Sequence, residues 1–318
     1  MPNITGTGTT WNLPNYAGEL FTADPINTPI LTAIGGLTGG VQTENFEFPT
    51  DSQYSLPEAA QPAITETASL TAPTAGEIVR SQNANVTQIF QEKVSVSYVK
   101  ESNRGRMSGL NTAGQQNNVE GTELDWQIAR KLEKIARDIE YTIINGVYQK
   151  ATSADVANKT RGLLALCDSD AGGTEVPASG AALTKKLMQQ LFKAMYDAGA
   201  TFSNMVLVMG STQKQIITDI YSYAPMDRNI AGTNIKQLET DFGNVGIMLD
   251  RFMPQTAVLA VEMSAIAPVF QPVPKKGNFF YEELATVGAS HEGQIFGQFG
   301  LDHGPAFLHG AITGLKAS

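Results

Sequence analysis

Apolar positions recur along the chain in distinct rhythms, and each rhythm predicts a different element. The most regular belongs to a helix. Leu124, Ile128, Leu132, Ile135, Ile139 and Ile143 follow one another at steps of four and three, which lays a single apolar stripe along one side. The pattern predicts a helix from near Asn117-Asn118 to about Gly146, roughly 30 residues or about 45 Å of rod. Glu133 and Arg137 are placed as an i,i+4 ion pair on it, with Lys134 and Asp138 in the reverse order. Upstream the period is two. Val41 to Phe48 alternates, and so do Val94, Val96 and Tyr98 against Lys93, Ser95 and Ser97, as strands with one buried face do. Residues 49–77, rich in Pro, Ala, Thr and Glu, keep neither period. Two strands bracketing a long polar tip predict a protruding hairpin over 41–99. A loop of that length without its own core usually has a function. Residues 1–40 carry only isolated apolar anchors, Trp11, Leu13, Leu20, Phe21, Ile30 and Leu31, among Gly, Thr, Asn and Pro, and read as an extended arm that gains order by lying on something else.

Beyond the long helix the rhythms alternate, so residues 160–263 read as α/β. Thr184 caps a helix with the stripe Leu187, Leu191, Met195 and Ala198, and Gly199 stops it. Met205–Met209 is a short buried strand, and Ser211 caps a helix carrying Ile216, Ile217 and Ile220. Tyr221 to Thr233 is a polar loop. Val245–Leu249 and Ala257–Val261 are strands, joined through Asp250-Arg251 and Pro254. The segment "PVFQPVPKKGNFFYEEL" is expected to be a linker into a short helix, followed by Gly-rich strands from Gln294 to Leu315.

Composition narrows the class. The 318 residues are 42% hydrophobic but only 17% charged, a neutral, polar surface suited to protein–protein contact, whose centres exclude charge. With 31 acids against 22 bases the net charge is −9, so the Lys and Arg surplus that displaces phosphate counterions is missing and a sequence-independent nucleic-acid binder is not expected. The lone Cys167 rules out an internal disulfide framework. The start, Met1-Pro2-Asn3-Ile4-Thr5, lacks the form of a signal peptide. The longest apolar run, Thr256 to Phe270, is broken by Glu262 and too short to span a bilayer. No membrane partner is expected.

Candidate chemistry changes the picture little. Asp241-Phe242-Gly243 spells the metal-holding triplet of a protein kinase, but the glycine-rich cover, strand lysine and catalytic loop that phosphoryl transfer requires do not accompany it. His291, His303 and His309 lack the spacing of a helical zinc pair. Asp168 and Asp170 flank Cys167 and would raise its thiol pKa rather than lower it. Glu120, Glu123 and Asp125 cluster at the start of the long helix, where they favour its dipole. No catalytic residue, cofactor or metal site is expected.

An acidic, charge-poor chain built from an arm, a long hairpin, one very long helix and an α/β region resembles the major capsid proteins of tailed bacteriophages, with the Hong Kong 97-type shell fold. Three segments carry the likeness: "LDWQIARKLEKIARDIEYTIING", similar to that family's spine helix with its Asp-Ile-Glu ending before a Gly; "KTRGLLAL" (Lys159 to Leu166), the lead into the central domain; and "TDFGNVGIMLDRFMP" (residues 240–254) with the strand "AVLAV" after it. The resemblance implies an α+β fold with an N-terminal arm (1–40), elongated hairpin (41–99), peripheral domain with spine helix (100–160), axial domain (161–263) and a return to the peripheral domain (264–318). It implies self-assembly into hexamers and pentamers of an icosahedral head around double-stranded DNA that is not strongly bound. A separate scaffolding protein and a portal would be partners, with assembly in the host cytoplasm and the virion as destination. "SLPEAAQP" (Ser55 to Pro62) would fall at the hairpin tip, and Tyr221 to Thr233 would be a loop near the symmetry axes. The intersubunit candidates are Trp11, Phe21, Tyr54, Leu56, Glu58, Tyr221, Tyr223, Asp227, Arg228, Asp250 and Arg251. For Asp250-Arg251 two roles stand open, satisfying loop backbone groups or pairing across a subunit boundary. Residues 42–92 contain no lysine, so the lysine–asparagine cross-link of some such shells is not expected. An encapsulin-like nanocompartment shell, which shares the fold but holds cargo enzymes, is the near alternative. A cytosolic α/β enzyme with an extended arm would need a polar pocket cluster that the sequence does not display.

Overall fold

The computed structural model describes residues 27–54, 56, 58–102, 123–168, 171–221 and 237–317. The chain enters through a short helix, α1 (Pro29–Ala33), and a two-residue strand, β1 (Val41–Gln42). A two-stranded antiparallel ribbon follows, β2 (Glu47–Tyr54) with β3 (Arg80–Val86), and a single helical turn, α2 (Glu66–Ser69), lies in the segment between them. Next come β4 (Gln88–Ser97) and α3 (Tyr98–Ser102), then the long helix α4 (Glu123–Asn145).

The helix ends where the stripe predicts, at Gly146; the expected start at 117–122 lies outside the described residues. Ile135, Ile139 and Ile143 are fully buried, with Ile128 and Leu132 packed at the edge of the same core. Glu133 pairs with Arg130 (2.8 Å) rather than with Arg137. Gly146 is required by a close crossing, since a Cβ there would sit 2.5 Å from the Thr142 carbonyl oxygen and 2.7 Å from that of Thr160. The chain returning through "KTRG" crosses at this point, where Gly162 N donates to Gly146 O at 2.9 Å.

Two sheets organise the rest. The remaining elements are α5 (Leu163–Leu166), β5 (Thr174–Pro177), α6 (Lys185–Asp197), β6 (Met205–Met209), α7 (Ser211–Tyr221), β7 (Gln237–Thr240), β8 (Gly243–Leu249), β9 (Val258–Glu262), β10 (Ala267–Phe270), β11 (Phe279–Glu283), β12 (Ser290–Asp302) and β13 (Gly310–Thr313). One sheet has the order β1-β10-β12-β11, with β4 along the other edge of β12 from Ser97 opposite Ser290 to Gln88 opposite Phe299. The second has the order β5-β13-β9-β6-β8-β7 and mixes parallel and antiparallel pairs. Its central strands β6 and β9 are buried on both faces. Met205, Leu207, Met209, Val258 and Ala260 pack under α6 and α7, while Val208, Leu259 and Val261 face the core that holds α4. Alternate residues of one strand thus serve two cores, which is why "MVLVM" and "VLAVE" are apolar almost throughout.

Three sequence expectations are corrected. The "NFFYEEL" segment is strand β11, not a helix, because it pairs with β12 from Phe279 opposite Gly297 to Glu283 opposite Gly293. Strand Val94–Val96 does not return along the hairpin; the partner of β2 is β3, and β4 joins the body. Ser211 opens α7 but does not cap it, since Gln255 Oε1 accepts from Thr212 N (3.0 Å) instead. Thr184 does cap α6, accepting from Leu187 N at 3.3 Å, and Gly199 follows with a φ of +96°.

Candidate assembly interface

The β2/β3 ribbon belongs to neither large sheet, and its two ends differ. Its root is pinned. Asn85, fully buried, donates from Nδ2 to Leu301 O (2.8 Å), while its Oδ1 accepts from Arg161 N (2.8 Å). The Phe48 ring lies where a side chain on Gly300 would stand, and Lys150 reaches Glu47 at 2.6 Å. A bulge between Pro49 and Asp51 then turns the ribbon away; such bulges bend a strand and strengthen its twist.

The tip has no such support. Tyr54, Leu56, Ile78 and Val79 are exposed, and so, at 73% and 84%, are Ile64 and Leu70. The α2 turn is held by its own cap, Thr65 Oγ1 accepting from Ala68 N (3.2 Å), and buries no residue. From residue 42 to 79 the chain carries six acids (Glu44, Glu47, Asp51, Glu58, Glu66, Glu77) and no base. The tip is therefore apolar and uniformly negative. Two tips meeting face to face would repel.

The long helix is tied to the body by polar contacts as well as by its stripe. Glu92 on β4, almost buried, receives Lys131 Nζ at 2.8 Å and also Lys134. Burial alone would raise the Glu92 pKa, but hydrogen bonds and charge from Lys131 and Lys134 outweigh it and hold the carboxyl below its usual range. At the other end of α4, Glu140 is 0% exposed and accepts Ile30 N at Oε1 and Leu31 N at Oε2, both at 2.7 Å. It does for α1 what Thr28, whose side chain makes no cap bond, does not.

The sequence candidates scatter over these parts. Trp11, Phe21, Tyr223, Asp227 and Arg228 lie outside the described residues. Tyr54, Leu56 and Glu58 are exposed together on the ribbon tip, and Tyr221 is half-buried at the end of α7. Asp250 is corrected. It is 2% exposed, and its Oδ1 accepts from Phe252 N (2.7 Å), so within the subunit it serves the loop backbone and is not offered at the surface. Arg251 is exposed.

The residues weighed for chemistry are accounted for structurally. Asp241 and Phe242 form the turn between β7 and β8, closed by Thr240 Oγ1 donating to Gly243 O (2.7 Å), with Gly243 at a φ of +143°. Cys167 is buried at the end of α5, and burial pushes its thiol pKa well up. His309 is buried, donates from Nε2 to His303 O (2.6 Å) and accepts Glu262 N at Nδ1 (3.4 Å); burial lowers its pKa to about 4, so it is neutral. Among the described residues no three His, Cys, Asp or Glu side chains are grouped to hold a metal ion, and no helix is long and apolar enough to cross a membrane.

Comparison with known proteins decides the family. The SU10 major capsid protein family model matches residues 3–316. The chain belongs to the SU10 major capsid protein family. As a capsid subunit it works in a homo-oligomer, and its place is the virion capsid. Solved structures show the same fold. The capsid asymmetric unit of cyanophage A-1(L) aligns with a TM-score of 0.64 over 98% of this chain and 100% of that one, at 11% identity. The capsid of a native GTA particle gives 0.60 over 96% of each, at 14% identity. The holo-SrpI encapsulin complex of Synechococcus elongatus PCC 7942 gives 0.56 over 95% of this chain and 94% of that one, at 10% identity. No curated protein matches. The Hong Kong 97-type capsid fold and the tailed-phage major capsid role expected from the sequence are thus borne out; the encapsulin alternative has the weaker support.

Proposed function

We propose that this SU10-family subunit closes into hexamers and pentamers of an icosahedral head around double-stranded DNA, each β2/β3 ribbon lapping a neighbouring subunit. The observation that carries this reading is the tip: large apolar side chains exposed on a segment without a core, among acids alone. A surface that cannot pair with its own copy favours a heterologous contact, and heterologous contacts that close generate rings. Many modest contacts then act together. Residues 221–233 are the loop proposed to lie near the ring axes, with Tyr221, Tyr223, Asp227 and Arg228 in contact there. The arm, with Trp11 and Phe21, laps an adjacent subunit, and Arg251 is the remaining candidate at a subunit boundary. The absence of lysine from 42–92 makes the shell non-covalent in the lysine–asparagine sense. A separate scaffolding protein and a portal complete assembly in the host cytoplasm. The net charge of −9 keeps the packaged DNA weakly held.

The test is electron microscopy of the protein alone and with its co-expressed scaffold, against a variant in which 55–79 are replaced by an Asn-Gly turn. The full chain is expected to give rings or closed shells, and the variant a folded subunit that does not close. Shells of normal yield from the shortened variant would remove the ribbon from the assembly; a lasting monomer of the full chain under both conditions would remove the shell reading itself.

A further inference from the structure

Where α1, α4 and the end of β8 meet, two carboxyl groups are buried against each other. Glu140 comes from the last turns of α4 and Asp250 from the residue after β8. Both Glu140 oxygens accept backbone N–H groups of α1, and Asp250 Oδ1 accepts Phe252 N. Asp250 Oδ2 is also buried, and among the described residues no donor reaches it. A carboxylate oxygen left dry and unpartnered is costly, more so than for a neutral group. The cost disappears if Glu140 is protonated, because its hydroxyl can donate to that oxygen while the same oxygen atom still accepts an N–H.

Among the described residues the pair has no other counter-charge facing it. From α1 come Ile30 and Leu31 and no titratable side chain. From α4, Tyr141 is exposed, and Arg137, a turn before Glu140, bears on Asp138. After β8, Arg251 is exposed and Phe252 is apolar; α5, packed on the same helix, is Leu-Leu-Ala-Leu. Burial first, and the facing Asp250 second, push the Glu140 carboxyl from its ordinary 4.5 up to about 8.

We propose that the Glu140–Asp250 pair is a proton-operated latch, which holds the root of the N-terminal segment and the end of β8 on the long helix while one proton is shared, and releases them when that proton is lost to solvent. Three parts of the chain distant in sequence, α1, α4 and the exit from β8, converge on it. Asn145 Nδ2 reinforces the joint by donating to Phe252 O (3.0 Å). Deprotonation puts two negative charges side by side in an apolar setting, where they repel with little screening. The latch is a property of the single chain, and it stands or falls separately from ribbon docking.

The sign follows from linkage. A carboxyl whose pKa is raised in the closed form binds its proton more tightly there than in the open form, so closure is strongest in acid and weakens as pH rises towards about 8. Hydrogen exchange of the purified subunit at the Ile30 and Leu31 amides, corrected for the intrinsic rate, reads this directly. In the unaltered chain the opening equilibrium should grow by up to about tenfold per pH unit, the effect of one proton, above the ordinary 4.5 and level off above about 8. Asp250→Asn replaces the shared proton by an amide N–H and should flatten that profile; Glu140→Gln removes the titrating group together with one of the two acceptors of α1, so its profile should be flat at a lower protection. If one variant fails to fold, the other decides. A flat profile in the unaltered chain would overturn the proposal, as would variants that lose protection equally at every pH, since that is what a merely structural cap would do.

Discussion

Strands β9 and β3 are both short pieces of sheet, but β9 reads "VLAVE" and is buried at every position, whereas β3 reads "RSQNANV" and is exposed over its first four. In β9 Val258 to Val261 each meet a core, alternately the one under α6 and α7 and the one around α4, while Glu262 at its end accepts Asn204 N (2.9 Å). Strand β3 buries only its last residues, Ala84 in part and then Asn85 and Val86, where the ribbon meets the body. The difference teaches where each strand's partners are. A strand apolar on both faces finds all its partners inside its own chain. One that is polar over most of its length yet leads to Ile64, Leu70, Ile78 and Val79 in the open has its root in this chain and no partner for its tip among the described residues, as the proposed docking requires.

The comparison can be broken by substitution. The largest loss of stability is expected from Leu259→Ala in β9, fully buried between the sheet and α4: about 2–5 kcal/mol in denaturant unfolding, as for other core leucines. A loss below about 1 kcal/mol would mean that the six-stranded sheet is not the two-faced core described. An intermediate effect belongs to Glu92→Gln, which removes the carboxylate shared by Lys131 and Lys134 and should cost about 1–3 kcal/mol at neutral pH. Because that carboxyl sits below its usual pKa, its contribution is present above the unfolded value and fades as pH falls through the folded one. The two proteins should therefore converge in melting temperature on acidification, and parallel curves would contradict the pairing. Smallest of all, Ile64→Ser and Leu70→Ser should change subunit stability by less than about 0.5 kcal/mol while lowering the yield of closed shells. Destabilisation of the isolated subunit by more than that would show that the tip has a partner within the chain.

Most of the body was legible because its signals are local. The stripe from Leu124 to Ile143, the stop at Gly146, the Thr184 cap and the apolar strands around Val208 and Leu259 each declare themselves within a dozen residues. What failed depended on partners distant in sequence. The alternation of Val94 and Val96 marks a strand but cannot say that Gly293 to Phe299, some two hundred residues later, pairs along it. "FFYEE" is as good a helix turn as a strand until β12 claims it; Gly293 and Gly297 on that strand leave room for the rings of Tyr281 and Phe279. Asp250 is buried and serves its loop backbone, and neither that role nor a surface contact changes the residues beside it. Glu140 was passed over although a signal existed. In the last turns of the helix, "DIEYTII", Glu140 falls between Ile139 and Ile143-Ile144, beside the apolar stripe, and an acid there needs a partner that the helix itself does not supply.

One consequence lies in how the subunit carries load. Strand β12 is held along one edge by β4 from Ser290 to Phe299, and along the other by β11 and then β10. Tension along β12 would strain all of those backbone bonds at once, in shear, whereas pulling the two arms of the β2/β3 ribbon apart would break its bonds one after another. The long strand would therefore be the tensile member of the subunit.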